Sequence, residues 1–404
     1  MRILQINCTY PGGSTGKIVA DIHDYMKKKG HVSGIIYGIG KTNDLDAFCA
    51  SPQVVRKLQS LRAKITGNLY GGCMISTYRV IRKIKRFRPD VVHLHCINAY
   101  MVNIYKLLDF LKKNGIATVI THHAEFLYTG GCSYTFDCNK WLTGCNHCQG
   151  KFEPKTWFFE RSSEAWKRLQ KVYCDYKKIT HCGVSDWLRN RAKCSPFLVN
   201  QKVITVLNGI NTTVFHYCAG RNEREILKIP KSTKVVLHVT PDFSSSIKGG
   251  KHVLEMAKRF QNEDVLFLVV GCKEGNLNDQ AYREYTNLRM LGYTQNQQEL
   301  AEYYSMSDIC LLTSVRETFS MICAESLCCG TPVVGFEAGA PETISLSEYS
   351  EFVEQGNDDL LEQAIRRWLN CDIDHESICK VACKVYDRKR MCQDYEREYE
   401  QLLK

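Results

Sequence analysis

The sequence predicts an α/β protein of two Rossmann-like domains facing each other across a cleft. Three observations carry this. Short β-branched runs alternate with helix-length amphipathic stretches, the pattern of a parallel sheet covered by helices. The pattern restarts near Lys202, and 404 residues are enough for two cores. Gly30 and Gly115 stand where helices should end. In sheets of this kind the ligand lies at the C-terminal ends of the strands, which puts the expected site between the halves.

In the first half, strands fit Ile3–Ile6, Ser33–Tyr37, Val91–His95, Thr118–Thr121 and His181–Val184. Helices fit Lys17–Lys29, Val54–Ile65, Tyr78–Arg86 and Tyr100–Lys113. In the second half, strands fit Val203–Leu207, Val235–Val239, Val265–Val270, Ile309–Leu312 and Pro332–Gly335. Helices there fit Lys251–Phe260, Gln298–Ser305, Phe319–Cys329, Asp358–Leu369 and a charged stretch from about Glu376 to Leu403. The expected domains are 1–200, with a cysteine-rich loop at 130–150, and 201–380. A terminal helix over 381–404 is placed to pack back across the cleft.

No run approaches the roughly 18 apolar residues a membrane span needs. The opening Met1–Asn7 reads as a strand and not a signal sequence, so a cytoplasmic location is expected. The net charge of +11 is concentrated in one place. Residues 51–88 hold ten Lys/Arg and no Asp or Glu, while the other 44 basic residues nearly balance 43 acidic ones. Such a patch suits an anionic membrane leaflet, a lipid-linked pyrophosphate or nucleic acid.

Pro11-Gly12-Gly13-Ser14-Thr15-Gly16-Lys17 follows the first strand. Glycines at such a turn let backbone N–H groups approach a phosphate or a sugar hydroxyl, although a tight turn without a ligand explains the segment equally well. It is not a Walker loop, since no glycine pair has the required spacing and Ile18 replaces Ser/Thr. A stronger signal is Glu317-Thr318-Phe319-Ser320-Met321-Ile322-Cys323-Ala324-Glu325, after one strand and before Cys329-Gly330-Thr331-Pro332-Val333-Val334. Glu317 falls in a loop at a strand's C-terminal end. Phe319 and Ser320 are expected to open a helix whose free N–H groups can receive a diphosphate. Glu325 follows two turns later, where a carboxylate can accept both ribose hydroxyls.

This Glu-x₇-Glu string resembles the donor-site motif of family-4 retaining glycosyltransferases of the GT-B fold, including those of bacterial capsule, exopolysaccharide and O-antigen synthesis. Val206–Asn211, the stretch from His238-Val239 to Ile247-Lys248-Gly249-Gly250, the loop glycines Gly12 and Gly13, and Val184–Leu188 agree in order and spacing. The resemblance implies transfer of a hexose-type sugar from a UDP-, GDP- or ADP-sugar to a lipid-linked saccharide, with no catalytic metal. It implies that Lys248 neutralises the leaving diphosphate, Glu317 holds sugar hydroxyls, Glu325 holds the ribose and His122 touches the donor sugar. His123 stands where many relatives carry Asp. Pro241–Ser246 occupies the stretch where the family carries an Arg.

Two further groups stand out. His93 and His95 alternate on one strand, as acceptor-side residues lining one face would, although satisfied core histidines explain the pair equally well. Cys132-x₅-Cys138-x₆-Cys145-x₂-Cys148 could hold a structural Zn²⁺, with disulfides or free thiols as alternatives. Rival readings are a nucleotide-sugar epimerase, hydrolase or phosphorylase on the same fold, and a zinc-containing nucleic-acid binder. The basic segment argues against nucleic acid, because it lacks regularly interleaved aromatics. Its Val54, Leu58, Leu61 and Ile65 recur at helical spacing, which suits an amphipathic surface helix at the inner face of the membrane, with a core-packed helix carrying a solvated basic face as the alternative.

Overall fold

Aliphatic runs such as Val235–Val239 suit strands whose two faces are both covered. The computed structural model, which describes residues 1–148, 156–218, 223–272, 282 and 284–404, turns these runs into two all-parallel sheets. The chain divides into one unit of Met1–Asn208 with Met391–Lys404, and a second of Gly209–Arg390.

The first unit contains β1 (Arg2–Ile6), β2 (Val32–Tyr37), β3 (Ala47–Cys49), β4 (Val91–Leu94), β5 (Ala117–His122), β6 (Ile179–Gly183) and β7 (Lys202–Thr205), in the order β3-β2-β1-β4-β5-β6-β7. The second contains β8 (Lys234–Val239), β9 (Val265–Cys272), β10 (Leu288–Gly292), β11 (Ile309–Leu312), β12 (Val333–Phe336) and β13 (Ser350–Val353), in the order β10-β9-β8-β11-β12-β13. Both orders step outward from a central strand and then reverse, the doubly wound arrangement.

Three differences from the sequence reading have physical causes. The run at Val203, read as the start of the second domain, is β7, which pairs with β6 at the edge of the first sheet. The division therefore falls after Asn208. The short or half-exposed edge strands β3, β10 and β13 lack the long aliphatic run that marks a buried strand. The charged C-terminal stretch is two helices, His375–Tyr386 and Arg388–Leu403, and not one. Ile210 interrupts it: its N–H donates to Tyr386 O and its carbonyl accepts from Arg388 N.

The two terminal helices serve different cores. His375–Tyr386 packs on Met321–Cys328 in the second unit. Arg388–Leu403 delivers Met391, Cys392, Tyr395 and Tyr399 into the first unit's core, beside Ile3, Val91 and Val119. Glu398 fastens it further, accepting from Thr180 Oγ1 at 2.7 Å and from Lys202 Nζ.

Candidate active site

The central strands β8, β11 and β12 place three loops side by side, because their pairing is in register and parallel. The loop after β8 carries Lys248. It can lie against the loop after β11 only because Gly249 adopts φ +70°; a Cβ there would meet Thr313 O at 2.0 Å. Val315 N–H donates to Ile247 O and Thr313 Oγ1 donates to Lys248 O, lacing the two loops together. The loop after β12 joins them through Glu317 N–H to Ala338 O. Glu342 in turn holds that loop, its carboxylate accepting from the N–H groups of Ala338 and Gly339.

These constraints bring Lys248 Nζ to 2.7 Å from Glu317 Oε1, with the side chains 26% and 13% exposed. The pair is shielded enough for its charges to matter and open enough for a ligand to reach. His238, near the end of β8, stands close by; the sequence reading quoted it as the start of the motif stretch and gave it no role of its own. Its Nδ1–H donates to Leu311 O, and burial with the nearby Lys248 charge lowers its pKa to about 4. It is therefore a neutral imidazole at neutral pH.

The helix of the Glu-x₇-Glu string starts at Met321, slightly later than Phe319, because Ser320 is its cap. Ser320 holds φ +75° and its Oγ accepts from Cys323 N–H. First-turn N–H groups lack intrahelical acceptors, so Met321 and Ile322 present donors beside Glu317 in sequence. Phe319 is buried ahead of the cap. Glu325 sits in the middle of the helix, and Tyr304 OH donates to its Oε2 at 3.4 Å.

The other predicted residues lie in the first unit. Gly12 caps the helix Gly13–Lys28 and Gly13 has φ +74°. His93 and His95 are fully buried. His93 bridges Tyr399 OH at 2.6 Å and Thr121 Oγ1 at 2.7 Å, while His95 pairs with Gln5 and His123. His122 is buried too, with Nε2 2.9 Å from His181 Nδ1 and the two rings stacked. Burial lowers the His122 pKa to about 3 and that of His123 to about 4.

Cys132, Cys138, Cys145 and Cys148 follow β5 on a segment folded around a buried carboxylate. Glu125 accepts from Arg191 Nε at 2.7 Å and from Thr135 N–H at 2.6 Å. Trp141 donates to Cys138 O, and Trp166 donates to Trp141 O. The Cys132 thiol is pushed up first by its hydrogen bond with Cys148, then by burial and by Cys145 and Cys138. Burial pushes Cys145 up to about 12. Among the described residues, the three-ligand grouping whose atoms all lie within 4.8 Å is His23, Asp44 and Asp46, not the four sulfurs. There Lys27 already pairs with Asp46 at 2.5 Å.

Residues 220–384 match the family model described as glycosyl transferases group 1. WcaC of Escherichia coli (strain K12), assigned by name to colanic acid biosynthesis as a glycosyl transferase, is 27% identical over 161 residues. The alignment covers 37% of this chain and only 39% of WcaC. An uncharacterised 41.2 kDa protein of the Klebsiella pneumoniae cps region is 22% identical, over 80% of this chain and 83% of that protein. The solved structure of Anabaena HepE in complex with UDP-glucose superposes with a TM-score of 0.68 at 13% identity, over 99% of this chain and all of HepE. The likeness to HepE is one of fold, two parallel-sheet Rossmann-like domains of the GT-B type. The chain thus carries, on that fold, a glycosyl transferases group 1 domain spanning residues 220–384.

Proposed function

We propose that the chain is a retaining glycosyltransferase that moves a hexose-type sugar from a nucleotide-sugar donor to a lipid-linked saccharide of surface polysaccharide. The observation that carries this is the Lys248–Glu317 pair at 2.7 Å, next to the Ser320-capped helix, inside the group 1 domain. The bond from the sugar's C1 to the donor diphosphate breaks, and a bond from C1 to an acceptor hydroxyl forms. The acceptor proton and the nucleoside diphosphate leave.

Each residue has one task in this reaction. Lys248 and the first-turn N–H groups of Met321 and Ile322 offset charge that grows on the leaving diphosphate. A phosphate drawing Lys248 away releases Glu317 to accept sugar hydroxyls. Glu325, steadied by Tyr304, accepts the ribose hydroxyls. The reading draws nothing from His93, His95 or His122. No metal takes part in the transfer.

Polysaccharide synthesis is favoured by the likeness to WcaC and to the cps-region protein, and a UDP-sugar by the fold shared with HepE. No helix among the described residues is long and apolar enough to cross a membrane. The enzyme would meet a lipid-linked acceptor from the cytoplasmic side as a peripheral protein. Titration with UDP-, GDP- and ADP-sugars, followed by slow hydrolysis of the best binder, tests the donor. Conversion of the donor to another free sugar nucleotide without any acceptor would replace the reading with an epimerase.

A further inference from the structure

A surface helix normally turns its apolar stripe inward. The helix Gln53–Thr66 does the reverse. Val54, Leu58, Leu61 and Ile65 are 69%, 62%, 45% and 38% exposed, and Ala63 is its buried residue. At about 100° per residue these four side chains fall within an arc of about 60°. Lys57 and Arg62, both exposed, flank the arc's centre at about 70° on either side.

The stripe continues past the helix. Gly67 ends the helix at φ +70°, and a Cβ there would lie 2.2 Å from Phe159 O. Trp157 N–H donates to Lys64 O at 2.7 Å. The segment Trp157-Phe158-Phe159 is thereby fastened to the helix end, and all three rings are more than half exposed. The following helix, Met74–Phe87, whose start is tied to the first by Cys73 N–H donating to Gln59 Oε1, carries exposed Ile75 and Tyr78 near its start and exposed Arg82, Lys85 and Arg86 further on.

We propose that this composite face is a docking surface for an anionic phospholipid leaflet. The apolar stripe and the three aromatic rings insert into the leaflet, while the lysines and arginines meet its phosphates. A helix lying in the interface needs this combination of one apolar face and a basic rim. The charge of the two helices selects the occupant: residues 51–88 carry ten positive side chains and no negative one, while exposed Glu160, beside Phe159, is followed at once by Arg161. A second copy of the chain would set like charges against each other, and a nucleic acid would leave the apolar stripe in water. The proposal rests on, and deepens, the reading of an enzyme that serves a lipid-linked acceptor.

The test is co-sedimentation of the full chain with phosphatidylcholine vesicles, with and without phosphatidylglycerol, at low and high salt and without donor or acceptor. Binding is expected only to the anionic vesicles, weakened by salt as charge screening shortens. Leu58→Glu with Leu61→Glu, and separately Trp157→Ser with Phe158→Ser, should each lower binding about tenfold or more. All four side chains are exposed, so melting temperature and nucleotide-sugar binding should stay unchanged. Those controls separate failure of the surface from failure of the transferase reading. Equal binding to neutral vesicles, or full binding by both variants, would overturn the proposal. So would a dimer in the wild type that the same substitutions dissolve.

Discussion

Lys248 Nζ and Glu317 Oε1 stand 2.7 Å apart across two loops laced by one backbone hydrogen bond, Val315 N–H to Ile247 O, and by Thr313 Oγ1 donating to Lys248 O. The pair therefore has a fixed position even without a ligand. Replacing Lys248 by Ala removes the diphosphate's counter-charge and leaves Glu317 largely buried without its cation. Turnover should fall about 10²–10³-fold, the usual loss when one preorganised electrostatic partner is removed. Glu317→Gln keeps the shape and removes the charge, so its loss should show mainly in kcat. Folded variants with near-normal steady-state turnover would end the donor-site assignment.

Much of this was legible beforehand because it depends on local pattern. Val235–Val239 and Ile309–Leu312 announce buried parallel strands, and the Glu317–Glu325 string falls at the loop-to-helix junction after the second of them. Other features depend on distant partners. Nothing near Ile210 says that it will break a helix at Asp387. Nothing near His93 says that its ring will be closed off by Tyr399, 306 residues later. Glu125 looks like a loop charge until Arg191 and Thr135 arrive to bury it.

That long-range closure makes the C-terminal helix essential to the first unit. Removing residues 391–404 exposes the pocket that held Met391, Cys392, Tyr395 and Tyr399. Each such side chain contributes about 1.5–3 kcal/mol, so the total rivals the 5–15 kcal/mol of a typical folded domain. The truncated protein should be insoluble, or should melt its first unit well before its second in calorimetry. An unchanged thermogram would show the helix to be dispensable.

Transfer should proceed without added Mg²⁺ or Mn²⁺, since Lys248 and a helix N-terminus supply the positive charge in the proposed donor site. Initial rates in EDTA, measured with and without restored Mg²⁺, decide this. A rate abolished by EDTA and recovered by Mg²⁺ would contradict it.

The four loop cysteines are proposed to hold one structural zinc. Elemental analysis of reduced, chelator-free protein should find one zinc per chain, lost in Cys145→Ser. An incomplete site leaves uncompensated thiolates, so that variant should expose the loop to protease first. Metal-free wild type with an intact loop would assign these residues to packing.

The histidine cluster gives the first unit a pH dependence of its own. His93, His95, His122, His123 and His181 all have lowered pKa values, chiefly through burial; neighbouring imidazoles lower all but His123 further. An unfolded histidine titrates near pH 6.5. Between that value and the folded values, about 4 for His123 and about 3 for His122, the unfolded chain binds more protons than the native one. Stability is therefore full above pH 6.5 and is lost as pH falls through this window. Each proton of difference contributes a slope of about 1.4 kcal/mol per pH unit. With several histidines acting together, the first unit should unfold over a narrow acid range. The second unit, where His238 is the comparable buried case, should follow a shallower curve. Trp141 and Trp166 report on the first unit and Trp368 on the second, so single-tryptophan variants can follow each separately. His181→Gln with His123→Gln removes two of the protons and should shift the first unit's acid midpoint downward. Coincident transitions for both units, or a midpoint indifferent to those substitutions, would place the origin of acid sensitivity outside the cluster.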